Sequence, residues 1–223
     1  MYTPLSSQQA RVMLDLQAAM NSKVDPAWLE AAYPYLRAVV VESAEAIEHH
    51  GWKWWKKQTL DLPQLQMEII DIWHFLLSEL LLRNQGDVPR TLDALLESAR
   101  IARDTVELEF DNRRWDLSQL DLVSKLELLT AVSAVRRIEL GLFISIMTDC
   151  QLSWAELYQQ YVGKNVLNFF RQDHGYKDGS YRKEWHGRED NEHLVEVMAE
   201  IPVDDGQYPG KLYAALKSRY SGS

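Results

Sequence analysis

A chain of 223 residues, 46% of them hydrophobic, can bury a sizeable core without disulfides or structural metals. Its formal net charge of -9 argues against a general nucleic-acid binder, which needs a surplus of Lys and Arg on one face. The longest nearly unbroken apolar run, Leu140 to Met147, falls far short of the about 20 residues that cross a bilayer, so no membrane span or membrane partner is expected.

The opening MYTPLSSQQARVM has neither a basic leader nor a following apolar segment, and the single cysteine, Cys150, reads as a packed thiol. Both features predict an intracellular, cytoplasmic protein. Apolar residues then recur at three- and four-residue spacing, as in Val12, Leu14 and Leu16, Val39 and Val40, and the run Ile69, Ile70, Ile72, Trp73, Leu76, Leu77, Leu80. The spacing predicts helices near 6–21, 26–50, 62–84, 89–110, 119–148 and 153–171. Punctuation agrees: Asp25-Pro26 and Leu62-Pro63 put proline at a first turn, Gly51 follows the second helix, and Gly86 precedes Val88-Pro89. Ser153 with Glu156 has capping-box spacing. No stretch alternates with period two, and no Asn-Gly or Asp-Gly hairpin is flanked by such runs, so the expected fold class is an all-α helical bundle.

From Asp173 the texture changes to HGYKDGSYRKEWHGREDN, dense in Gly, charge and aromatics, which reads as a functional loop. The final segment, with Pro202, Pro209 and the terminal Ser-Gly-Ser, is expected to be peripheral and frayed at its end. The whole chain, 1–223, reads as one domain with an inserted helical subregion at 87–116.

Glu42 and Glu45 stand three apart on the second helix and Glu68 and Asp71 three apart on the third, so each pair occupies one helix face. Either pair alone reads as a solvated helix surface. Joined by the turn from Gly51 to Pro63, the helices become antiparallel neighbours and the four acids can converge. Acids amid Val39, Val41, Ile47, Ile69 and Ile72 demand compensation, and oxygen-only ligands favour magnesium or manganese. A di-iron bundle needs Glu-x-x-His from two helices, whereas only Asp71-x-x-His74 has that type of spacing. Glu48 extends the acidic stripe.

The pattern Glu42-x-x-Glu45, 22 residues, Glu68-x-x-Asp71 resembles the metal motif of the all-α NTP pyrophosphatase superfamily. The later KNVLNFFRQDHGYKDGSYRKEWHGREDN, residues 164–191, is similar to the C-terminal motif of the dimeric dUTPases of trypanosomatids, bacteria and phages. Gln17 and Asn21 in LDLQAAMN, GWKWWKK at 51–57 and DIWHFLLSE at 71–79 add to the likeness, which spans roughly residues 10–85 and 120–191. The insertion between, with Arg113 and Arg114, matches no motif.

The resemblance implies an all-α homodimer that hydrolyses dUTP, and dUDP, to dUMP with release of pyrophosphate or phosphate, keeping uracil out of DNA, in the cytoplasm of a cell or of a phage host. It implies two or more Mg2+ ions, or Mn2+, held by Glu42, Glu45, Glu68 and Asp71, with Glu45 as the base toward water. Gln17 and Asn21 would face uracil, and Trp55 and His74 would complete the base pocket, although Trp52 and Trp54 compete for the stacking role. Lys164, Asn165, Asn168, Arg171, Lys177 and Lys183 would supply donors to the phosphates. Tyr176 and Tyr181 would brace the deoxyribose or anchor the loop, and 164–191 would close over the nucleotide. The apolar helix from Leu126 to Met147 reads as a partner surface or as the bundle's core. A pyrophosphatase for another deoxynucleotide such as dCTP, or a regulatory relative without turnover, would share these features.

Overall fold

The computed structural model describes residues 4–203 and 207–221, and its fold is all-α, with ten helices among those residues and two small hairpins. Helix α1, Ser7–Val24, starts at a capping box in which the Ser6 hydroxyl accepts from Gln9 N–H and Gln9 reaches back. The second predicted helix, 26–50, is broken: α2 covers only Trp28–Ala31, Ala32 turns left-handed at φ 46°, and Pro34 leads into α3, Tyr35–His50. Proline disfavours the helical conformation in the residue before it, so the interruption falls where the Tyr33-Pro34 step sits.

Gly51, at φ 85°, ends α3, and the turn closes where Asp61 N–H donates to His49 O at 2.9 Å. Helix α4, Leu62–Arg83, is capped by Asp61 with Pro63 in its first turn. It runs antiparallel to α3, as the pairing of His49 with Glu68 and of Glu42 with Asp71 requires. Helix α3 also packs on α6, and α1 packs on α4, α5 and α8.

The insertion departs from its prediction. Helix α5 covers Val88–Ala102, and residues expected to finish the helix instead form β1, Glu107–Phe110, paired antiparallel with β2, Arg113–Asp116. Asp111 and Asn112 both take positive φ, 54° and 56°, the requirement of a two-residue hairpin turn, which Asp-Asn meets without glycine. The predicted helix at 119–148 is two helices, α6 at Leu122–Ala134 and α7 at Leu140–Asp149. They are split at Arg136, φ 66°, whose carbonyl accepts from Arg83. Leu126, Leu129, Val132, Phe143 and Ile146 are all buried, so this apolar stretch is core of the chain and not a free partner surface.

Helix α8, Trp154–Asp173, is the helix expected at 153–171, so the first ten residues of the segment 164–191 are helical. Beyond it, β3, Glu184–Trp185, pairs with β4, Arg188–Glu189, and α9 runs Asp190–Glu200. The tail expected to be peripheral is α10, Tyr208–Ser221, which buries Tyr208, Leu212 and Leu216 against α8 and α9. The terminal Gly222-Ser223 lies outside the described residues. Among the described residues no helix is long and apolar enough to cross a membrane. Trp73 marks the core centre, stacked on Phe143 at 5.0 Å and edge-on to Trp154. Cys150 is buried in that core, its thiol pushed up to about 12 by burial.

Candidate active site

Along one stripe of α4 two sets of polar side chains gather, Glu68 and Asp71 with α3 and His74 and Ser78 with α1 and α8. In the set with α3, carboxylate oxygens of Glu42, Glu68 and Asp71 lie within 4.8 Å of one another. Helical spacing puts Glu68 and Asp71 on one α4 face, and Glu42 faces them from α3. Glu45, one turn from Glu42, stays exposed at the rim, close enough for its charge to act on Glu42, Glu68 and Asp71.

Burial first, then the charges of Asp71, Glu45 and Glu68, push Glu42 up to about 7. A hydrogen bond shared by the two carboxyl groups adds to the rise of Glu42 and works against that of Glu68. Burial and the Asp71 charge raise Glu68, and burial raises Asp71 against the opposing pull of Lys164. Two nitrogens lean in: the Lys164 ammonium, from α8, donates to Asp71 Oδ2, and His49 Nε2 lies 3.3 Å from Glu68 Oε1.

The set with α1 and α8 is a buried, neutral network. Gln17 Nε2 donates to Asn21 Oδ1 at 3.0 Å and to Ser78 Oγ at 2.8 Å. Both amide protons are then spent. Gln17 Oε1 can only accept, and it lies 2.8 Å from the Tyr161 hydroxyl and 2.9 Å from His74 Nδ1. In this arrangement His74 carries its proton on Nδ1 and offers Nε2 as an acceptor. Burial, then the Lys164 charge, push His74 down to about 3, so the ring is neutral. Tyr161 stacks on it at 4.1 Å, holding its plane.

The network is complete inside and open at one edge. His74 Nε2 and Asn21 Nδ2 are buried without a hydrogen-bond partner. Asn165 is close enough to the Tyr161 hydroxyl to affect it, yet neither of its own amide atoms makes a well-formed hydrogen bond. Orphaned polar atoms in a folded interior are uncommon and mark a place where a ligand can complete the set.

The remaining predicted residues divide. Arg171 is seated on Asp190, which is fully buried: Nε and Nη2 meet the two carboxylate oxygens at 2.8 and 2.9 Å, and Nη1 reaches Asn168 Oδ1 at 3.3 Å. The Tyr181 hydroxyl donates to the same carboxylate at 2.8 Å. Although burial alone would raise Asp190, Arg171 and Tyr181 hold it below the usual range. Tyr176, Lys177 and Lys183 lie at the surface, Lys183 beside Glu189 at 3.4 Å. Trp55 is 58% exposed in the α3–α4 turn, edge-on to Trp52 and Trp54 and apart from the network.

Sequence reasoning did not single out His49, Ser78, Tyr161 or Asp190. His49 follows Glu45 by four and Glu42 by seven, Ser78 follows His74 by four, and Tyr161 precedes Lys164 by three, so helical spacing from a chosen residue would have found three of them. Asp190 carried no such signal, because its partner sits across a turn. A groove of about 400 Å³ lined in part by Gln66, Met67, Gln160, Asn191 and Val195 opens beside Lys164.

A family model described as dUTPase matches residues 9–176, from the first turn of α1 to just past α8. No curated protein matches the chain.

Proposed function

The chain belongs to the dUTPase family and is a dUTP diphosphatase; from that premise we propose that the α3–α4 carboxylates hold Mg2+ while the α1–α4–α8 network reads the base. The observation that carries this reading is the open edge of that network. His74 Nε2 is an acceptor and Asn21 Nδ2 a donor, both buried and unpartnered. Uracil offers N3–H flanked by carbonyl oxygens and so complements that pair. Cytosine would set its own N3 lone pair against Nε2, and a mismatched buried pair is rejected strongly.

The acid cluster fits a hard divalent cation. Its donors are all oxygens, and the single ammonium in contact with it, Lys164, leaves the cluster short of positive charge. Glu42, Glu68 and Asp71, with Glu45 at the rim, would hold one or more such ions. Bound there, Mg2+ or Mn2+ would supply positive charge against the phosphate oxygens as the anhydride bond breaks.

The protein groups divide the remaining work. Glu45, solvent-facing beside the cluster, accepts the proton of the attacking water. Lys164 and Asn168, on one face of α8, donate to phosphate oxygens between the acids and the base network. Arg171, fixed by Asp190, adds its charge from a set position, and that charge already reaches Asp71. Lys177 and Lys183 serve the outer phosphates and Tyr176 closes over the sugar. The working unit is a homodimer acting on dUTP and dUDP.

Initial rates with dUTP, dUDP, dCTP and dTTP, with Mg2+ and with excess chelator, test the reading. The expected result is strict metal dependence and preference for the uracil nucleotides, with dUMP and pyrophosphate as products from dUTP. Turnover undiminished in chelator would remove the metal role, equal use of dCTP would remove the base role, and a solution mass of 25.9 kDa would remove the dimer.

A further inference from the structure

Lys164 touches the acid cluster, and its charge reaches the neutral network. Its ammonium donates to Asp71 Oδ2, and its charge also acts on Glu68 and on His74. The side chain is 21% exposed and borders the groove beside α9, so it has a path outward. We propose that Lys164 is the resident counter-ion of Asp71, that it leaves the carboxylate when a divalent ion is taken up, and that it meets the nucleotide's phosphate only after leaving.

The inference rests on the metal reading of this site and adds an order of events to it. Asp71 Oδ2 cannot give the same lone pair to an ammonium and to a metal ion. Two positive charges at one carboxylate also repel, by several kcal/mol at about 4 Å in a partly buried setting. A lysine is suited to such an exchange: its charge sits at the end of a flexible four-carbon stem, whereas a guanidinium would be held in a fixed fork. Arg171 shows the contrast, since both of its inner nitrogens are fixed on Asp190. Without Lys164, Asp71 would keep its charge among Glu42, Glu45 and Glu68 with no cation in contact. With it, the acid is held ready and the lysine is kept away from the phosphates until the metal is in place.

The test uses the full chain and Mg2+ alone, with no nucleotide. Lys164→Met removes the competitor and should tighten Mg2+ binding, by calorimetry, about tenfold. Lys164→Arg keeps the charge and holds Asp71 in a fixed fork, so it should bind Mg2+ no more tightly than the parent. Lys57→Met, which changes the net charge equally at an exposed position, should change nothing. In the unsubstituted chain the Lys164 ammonium should give a slowly exchanging 1H–15N signal that moves or vanishes on Mg2+ saturation. Mg2+ affinity unaltered by Lys164→Met, or a Lys164 signal that ignores bound Mg2+, overturns the inference and leaves the metal reading standing. Failure of the unsubstituted chain to bind Mg2+ overturns both. The signal decides the matter even if the Met variant does not fold.

Discussion

Two clusters of charge in this region are built on opposite principles. Asp190 is 0% exposed, yet its carboxylate is met by a bidentate Arg171 and by Tyr181, so every lone pair has a donor. Glu42, Glu68 and Asp71 are three acids with one lysine in contact and one histidine nearby, and burial raises all three. The first arrangement is complete and serves to fix a loop. The second is short of positive charge, which suits a place that takes up a cation. The difference teaches that burial of charge alone does not mark a reactive site; the balance of partners does.

Removing one charge from each cluster should therefore have opposite effects on stability, and the complete cluster should show the larger one. Arg171→Ala leaves Asp190 buried and unpaired, which is expected to destabilise the fold by about 3–5 kcal/mol. Denaturant unfolding measures this, and a loss below about 1 kcal/mol would show that Asp190 finds water or another donor. The variant is then a folding variant as much as a phosphate-binding one.

The neutral network gives an intermediate case. Sequence reading placed Gln17 at the base edge, but its amide joins Asn21, Ser78, His74 and Tyr161. Gln17→Ala strands those partners and should lower stability by about 1–3 kcal/mol in addition to weakening discrimination between dUTP and dCTP. Selectivity lost with no change in melting would mean that the amide faces ligand alone.

The smallest effect belongs to the incomplete cluster and has the reverse sign. Glu42 titrates at about 7 when folded and at 4.5 ordinarily, so the folded chain holds a proton that the unfolded chain releases. Its contribution is fully present below pH 4.5 and is lost as the pH rises through about 7. In chelator, Glu42→Gln should flatten that decline and be more stable than the parent above pH 7, by about 1 kcal/mol for a half-buried group. Parallel stability curves for parent and variant between pH 4.5 and 8 would show that Asp71, Glu45 and Glu68 do not crowd it.

Much of this was legible in the residues. The 3.6-residue apolar period gave the long helices α1, α4 and α8, and the spacing of Glu42 with Glu45 and of Glu68 with Asp71 gave two facing acid pairs. What periodicity missed were the breaks. Within 119–148 the charged residues Arg136, Arg137 and Glu139 interrupt the apolar pattern, but no Gly or Pro falls within Val135–Glu139, so nothing local marks the left-handed Arg136 that divides it. The hairpin at 107–116 is too short to show alternation, and α9 and α10 lie in a stretch whose Gly, Pro and charge obscure the pattern.

The sequence by itself determined the helical class, the acids and the family, because each is written in spacings of a turn or two or in contiguous strings. Only the tertiary structure decided which cation meets which acid. Lys164 and Asp71 are 93 residues apart, and Gln17 and Ser78 are 61 apart. No local signal chooses Lys164 over Lys177 or Lys183, or seats Arg171 on Asp190. Those pairings follow from how α8 lies across α1 and α4, and with them come the Nδ1–H tautomer of His74 and the raised Glu42 carboxyl. Both are set by neighbours that packing brings within hydrogen-bond reach.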